Sequence, residues 1–175
     1  RLYEREIIDL AQIFSLIDVD TQWPTLQDLK ATGDARFIGV TVSQYELYPN
    51  LENFLTKEKP DFIQLNYSIT ERRAEERLLP MAQDLGIAVL INRPFMNGVY
   101  FRRLEGRAVP EWAAEFDCES WAQFSLKYIL AHPAVTCVLT ETSNPRHMQE
   151  NALTAFGRYP DAAARNRMRS LISNI

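Results

Sequence analysis

Cysteine is scarce: only Cys118 and Cys137 occur in 175 residues, nineteen positions apart and with no clustered histidines beside them. That spacing excludes the usual zinc sites and argues against a disulfide framework, so both thiols are expected to be buried, as free cysteines usually are. An excess of positive charge is also missing, since nineteen basic residues stand against twenty-three acidic ones. Without that field, a nucleic-acid or anionic-lipid partner is not expected. Long hydrophobic runs are absent too; Ile87 to Ile91 is the longest, far short of a membrane span, and no charged-then-apolar signal segment opens the chain. A soluble, cytoplasmic protein is therefore expected. Histidine is limited to His132 and His147, and neither has a nucleophile at recognisable spacing, so no hydrolytic triad can be argued.

What is present is a globular composition, 46% hydrophobic and 24% charged, in a chain long enough to bury a core. Five β-rich runs stand out: Ile7–Phe14, Arg36–Val42, Asp61–Tyr67, Ile87–Ile91 and Val135–Thr140. The intervals between them read at helical period. A short helix over Thr25–Thr32 is begun by Pro24 and ended by Gly33; Leu47, Leu51, Phe54 and Leu55 share a face closed by Pro60. Ala74, Leu78, Leu79 and Ala82 recur until Gly86, and after a variable loop through Gly98 and Gly106 a helix carries Trp121, Phe124, Tyr128 and Ile129 up to His132-Pro133. Pro145 opens a helix continued by Met148, Ala152 and Ala155. A last helix from Pro160 puts Met168, Leu171, Ile172 and Ile175 on one stripe, with Arg165, Arg167 and Arg169 opposite as a solvated face.

Alternation of strand and helix, with near-continuous apolar strands, argues for parallel pairing with both faces covered. A doubly wound sheet would show a glycine-rich turn after its first strand, but Phe14-Ser-Leu-Ile-Asp-Val-Asp contains no glycine. An α/β fold of the (β/α)₈ TIM-barrel type fits better, although a barrel takes about 250 residues and eight strands. Five βα units are present, so the expectation is an incomplete barrel, read as one domain over 1–175. The chain also opens on Arg1 without an initiator methionine, as processing or a longer parent chain would produce.

The ordered set "IIDLAQIFSL", "RFIGVTVSQY", "DFIQLNYS", "LLPMAQDLGIAVLINRPF" and "LKYILAHPAVTCVLTETSNPRHMQEN" resembles the second half of an aldo-keto reductase, from about the fourth barrel strand onward. The resemblance spans essentially the whole chain. It implies a nicotinamide cofactor, NADP or NAD, bound across the C-terminal ends of the strands, and hydride transfer to or from a carbonyl or alcohol substrate. By the same resemblance, Thr142, Ser143 and Asn144 lie near the phosphates, His147 near the ribose phosphate, and Glu150 and Asn151 at the adenine. Free N–H groups at a helix start favour a phosphate, yet Asn144 would cap a helix at Pro145 with or without a ligand. Gln64 and Thr41 resemble the residues that hydrogen-bond the nicotinamide carboxamide. Asn92 stands where many relatives carry an aromatic that stacks on the nicotinamide, and Arg93 is placed to contact the diphosphate. Glu141 occupies the position of a phosphate-binding lysine, where a carboxylate would repel the extra phosphate.

The catalytic tyrosine, lysine and aspartate of such enzymes would sit on strands preceding this chain. Their histidine partner would end "IDLAQI", where Phe14 stands, and phenylalanine has neither donor nor acceptor. Asp18 and Asp20, two positions apart at the strand rim, offer carboxylates for acid and base roles or, more simply, a turn. The resulting expectation is an NAD(P)H-dependent oxidoreductase with its main catalytic residues outside this segment. The alternative is a pseudoenzyme that binds nucleotide or a protein through a partial barrel, and open strand edges would lead such a half-barrel to self-associate.

Overall fold

A computed structural model describes residues 7–175. Its centre is a five-stranded parallel sheet in sequential order: β1 (Ile8–Ile13), β2 (Ala35–Val42), β3 (Phe62–Asn66), β4 (Ala88–Asn92) and β5 (Val135–Val138). Each strand runs a residue or two off the apolar run that announced it, because pairing rather than hydrophobicity ends a strand. Helices α1 (Val19–Thr32), α2 (Tyr48–Lys57) and α3 (Leu78–Leu85) fill the first three crossovers. The fourth carries a one-turn α4 (Val99–Arg103) and then α5 (Trp121–Leu130), and α6 (Pro145–Leu153) and α7 (Ala162–Ser173) follow β5. Sequential parallel strands joined by helices are the repeat of a (β/α)₈ barrel, of which five units are seen here. Among the described residues, no helix is long and apolar enough to cross a membrane.

Burial along the central strands alternates rather than running continuously. Ile63 and Leu65 of β3 and Val89 and Ile91 of β4 are fully buried, while Phe62, Gln64, Leu90 and Asn92 between them are only partly covered. The helices cover one face of the sheet, where Leu51, Leu55, Leu79, Phe124 and Ile129 meet these strands in one core. The expectation of two covered faces is thus corrected: the second face is the inward face of a barrel sheet, and it carries polar side chains.

Helix α1 starts six residues earlier than its proline suggested, so Pro24 lies inside it. Packing next to the proline offsets the lost hydrogen bond: Trp23 is 4% exposed, meets Phe54 edge-on at 5.1 Å, and donates its indole N–H to Glu58 at 2.8 Å. Asp18 is the left-handed residue before this helix, and its carbonyl accepts from the Thr21 and Gln22 N–H groups. Helix α6 ends at Leu153, two positions short of the Ala155 expected to continue it. Met148, Ala152 and Ala155 are exposed, and the buried positions are Asn151 and Thr154. Only one thiol is buried: burial pushes the Cys118 thiol up to about 11, whereas Cys137 is exposed on the edge strand β5.

Arg165 overturns the solvated arginine face. Its guanidinium donates to Glu75 Oε1 at 2.9 Å, to the Tyr67 hydroxyl at 2.6 Å and to the Tyr128 carbonyl at 3.1 Å, and lies 4.5 Å from the centre of the Tyr128 ring. Tyr67 and Tyr128 both donate to the same Glu75 oxygen. This knot ties α7 to the loop after β3 and to α5. Burial works to raise the Glu75 pKa, but the two phenols and Arg165 outweigh it and hold the carboxyl below its ordinary value. Burial, with Arg165 beside it, lowers His132, which meets Tyr67 edge-on at 5.9 Å. Both groups bind protons more readily in the unfolded chain, so stability is fully present above the unfolded values and lost as pH falls. The urea midpoint is expected to decline below about pH 6.5 as unfolded His132 protonates, and again below about pH 4.3 through Glu75. A midpoint flat from pH 8 to pH 5 would show that His132 is not shielded as described, and one that also stays flat down to pH 3 would show that the knot does not form.

Candidate active site

The carboxyl ends of β2 to β5 surround two adjoining clefts. The first, of about 530 Å³, is lined by Ser43, Gln64, Asn66, Asn92, Arg93, Phe95, Phe101 and the segment Leu139–Glu141, among others. The second, of about 400 Å³, is lined by Ser120, Trp121, Thr142, His147, Glu150 and Asn151, and shares Phe95, Phe101 and Glu141 with the first. Together they form an elongated surface at the strand ends, where parallel βα folds hold their ligands.

Strand alternation builds the floor of the first cleft. Because Ile63 and Leu65 face the helices, Gln64 and Asn66 face the other way, in register with Leu90 and Asn92. Gln64 Nε2 donates to Asn92 Oδ1 at 2.6 Å. Asn66 is completely buried; its Nδ2 donates to the Ser43 carbonyl at 2.7 Å, and Tyr48 donates to its backbone oxygen at 2.9 Å. Its Oδ1 has no hydrogen-bond partner among the described residues. A buried acceptor left unpaired costs about 1–3 kcal/mol, so the first cleft suits a ligand that brings an N–H or O–H donor. Beyond β4, left-handed backbone at Arg93, Met96 and Asn97 turns the chain sharply, and Arg93, Phe95 and Phe101 come back against the cleft. Arg93 lies 3.8 Å from Glu71 Oε1, and its buried Nε has no partner among the described residues.

The second cleft lies beside the start of α6. Asn144 caps that helix, its Oδ1 accepting from the Arg146 N–H at 3.0 Å, while Thr142 Oγ1 accepts from the Asn144 N–H at 3.2 Å. The capping role expected of Asn144 is therefore real, and neither Asn144 nor Ser143 is among the residues lining the cleft. His147 is exposed on the rim, and Glu150 accepts a hydrogen bond from Ser120. Asn151 is 8% exposed, and among the described residues no group hydrogen-bonds its carboxamide. A second buried amide is thus available where the sequence placed the adenine.

Of the expected site residues, Gln64, Asn92 and Arg93 meet in the first cleft, and Thr142, His147, Glu150 and Asn151 in the second. Thr41 pairs with Gln64 across the sheet but lines neither cleft, and its Oγ1 accepts from the Ser15 N–H at 3.1 Å. Phe14 falls just beyond β1 on a tight turn, 67% exposed and outside both linings. Sequence reasoning missed Asn66 and the aromatic wall of Phe95, Phe101 and Trp121. Asn66 had a signal, since it lies two positions after Gln64 and so shares its face; the aromatics come from the turn after β4, from α4 and from the start of α5, which only folding brings together.

The sequential parallel sheet and its strand-end clefts define a segment of a (β/α)₈ barrel. The profile described as "Aldo/keto reductase family" matches residues 5–164. This chain belongs to the aldo/keto reductase family. It is similar to the uncharacterized oxidoreductase YqkF of Bacillus subtilis (strain 168), 26% identical over 165 residues, covering 81% of this chain and 51% of that protein. A shorter similarity, 34% over 74 residues, or 42% of this chain and 22% of the relative, is to the NADH-specific methylglyoxal reductase of Escherichia coli (strain K12). Among solved structures, the aldo-keto reductase AKR11C1 from Bacillus halodurans in its holo form superposes with a TM-score of 0.75 at 25% identity, over 96% of this chain and 62% of its own. The chain thus spans about half the length of the first of these curated relatives.

Proposed function

We propose that this chain supplies the nicotinamide-dinucleotide cradle of an NAD(P)H-dependent oxidoreductase acting on a carbonyl or alcohol substrate. One observation carries the reading: two adjoining clefts at the strand ends each hold an amide with hydrogen-bonding capacity that the described residues leave unused, Asn66 with its buried, unpaired Oδ1 in the first and Asn151, 8% exposed, in the second. The residues fit such a cofactor end to end. Gln64, Asn66 and Asn92 offer the donors and acceptors that a nicotinamide carboxamide needs. Arg93 supplies a cation for the diphosphate, and Asn151 reads the adenine edge. Phe95 and Phe101, common to both clefts, exclude water from the middle of the groove. The cofactor, when bound, supplies or accepts the hydride. Membership of the family, with similarity to an oxidoreductase and to an NADH-specific methylglyoxal reductase, supports the assignment.

Trp121 lines the second cleft and gives the test its signal. Titration with the reduced dinucleotide is expected to quench tryptophan fluorescence saturably at one site per chain. Asn151→Ala should weaken binding about tenfold, the loss of a hydrogen bond or two at roughly 1 kcal/mol each. Folded protein that gives no saturable change by fluorescence or calorimetry would reject the cradle.

Phe14 favours a second reading, binding without turnover, because it puts an apolar ring at the family histidine position. Assayed with the family's tyrosine and lysine present, a protein that binds the dinucleotide but oxidises none of it across a panel of aldehydes and ketones would be read that way.

A further inference from the structure

The two clefts differ in charge. Among the described residues, Arg93 is the only lysine or arginine lining the first, and the second is lined by none. Two carboxylates, Glu141 and Glu150, stand in the second cleft instead, with the His147 imidazole on its rim. Arg146, one position before His147, is exposed and does not line it. Glu150 is engaged on one oxygen by Ser120, whereas no hydrogen bond or ion pair occupies the Glu141 carboxylate among the described residues. Buried and unpaired, Asn151 sits in the same cleft and marks it as a ligand site independently of the acidic pair.

We infer that the chain selects the non-phosphorylated dinucleotide, NAD(H), over NADP(H), with Glu141 as the discriminating residue. The inference rests on the dinucleotide reading above and goes on to say which dinucleotide the cleft accepts. A carboxylate accepts hydrogen bonds from the vicinal hydroxyls of an adenosine ribose, the role an acidic residue plays towards the ribose 2′-hydroxyl in dinucleotide folds of other architecture. A 2′-phosphate adds a charge of about −1.5 to −2 at neutral pH and replaces the donor with acceptors only. Brought beside Glu141 and Glu150 with no lysine or arginine in the lining, it meets like charge and loses the hydroxyl's hydrogen bond.

The test is a pair of calorimetric titrations, NADH and NADPH, on the purified protein and on Glu141→Lys. Glu141 is exposed, so the substitution leaves the fold intact, which circular dichroism checks. NADH is expected to bind at least about tenfold tighter than NADPH to the unaltered protein, and the lysine variant should narrow or invert that ratio by tightening NADPH. Added salt should also narrow it, because repulsion between exposed charges is screened. Equal or tighter NADPH binding would overturn the inference while leaving the dinucleotide cradle standing. An NADH preference untouched by Glu141→Lys would remove Glu141 from the role, and folded protein that binds neither would overturn inference and cradle together.

Discussion

Arg165→Leu is expected to lower the free energy of unfolding by about 2 kcal/mol, because its ion pair is half-buried and removing one partner from a fully buried pair costs about 3–5 kcal/mol. The side chain is only 17% exposed, and the carboxylate it would abandon, Glu75, is 23% exposed. Two phenols would still donate to Glu75, which keeps the loss from being larger. Urea denaturation followed by circular dichroism measures it, and Arg169→Leu provides the contrast. Arg169 belongs to the same arginine stripe of α7 but makes no hydrogen bond or ion pair among the described residues, so its replacement should stay within about 0.5 kcal/mol. Equal effects of the two substitutions would show that the stripe is a solvated face after all. Because α7 is held through this knot, loss of Arg165 should also loosen the last helix before the sheet melts, seen as faster amide exchange over Ala162–Ser173.

A comparably large effect is expected from Gly39→Ala. Gly39 pairs with Phe62 across the β2–β3 ladder, and a methyl group there would lie 2.4 Å from the Phe62 carbonyl oxygen and 3.1 Å from its carbon. The obstacle is backbone, which cannot swing aside as a side-chain tip can. Relief requires separating two strands at the centre of the sheet, so the cost should be about 3 kcal/mol or more, at or beyond the upper end of ordinary overpacking. Gly33→Ala tests a different requirement. That glycine ends α1 at φ +84° with open space around its missing side chain, and its replacement should cost only about 1 kcal/mol, from left-handed strain alone. If Gly39→Ala proved the milder change, β2 and β3 would not approach as closely as described. Since Gln64 and Asn66 hang on β3, the same substitution should weaken dinucleotide binding even in whatever fraction remains folded.

Elements whose signals are local were legible in advance. Leu51 and Leu55, spaced at one helical turn, do lie buried in α2, and Gly86 does end α3 in a left-handed turn. The Asn-Pro start of α6 caps as such a pair should. Elements whose outcome depends on distant partners were not. Pro24 advertised a helix start, but Trp23 gained Phe54 and Glu58 from beyond the next strand, and that packing carries α1 past the proline. Pro145, Met148 and Ala152 announced α6, yet nothing local showed that it turns Asn151 inward, because the side of the helix that meets the cleft is decided by what stands opposite. The candidate site divides the same way. Gln64 and Asn151 were visible as residues in a pattern, whereas the unpaired oxygen of Asn66 and the placing of Phe95 and Phe101 against both clefts exist only once the chain is folded.

The sequence by itself determined the alternation of strands and helices, the parallel order that follows from it and the family, because each rests on periodicity, punctuation or motif order within short spans of chain. Only the tertiary structure decided which arginine is drawn into an ion-pair knot, which thiol is exposed and which amides remain without partners. Those outcomes depend on groups far apart in the chain, as with Arg165 and Glu75, ninety positions apart, whose meeting no local pattern encodes.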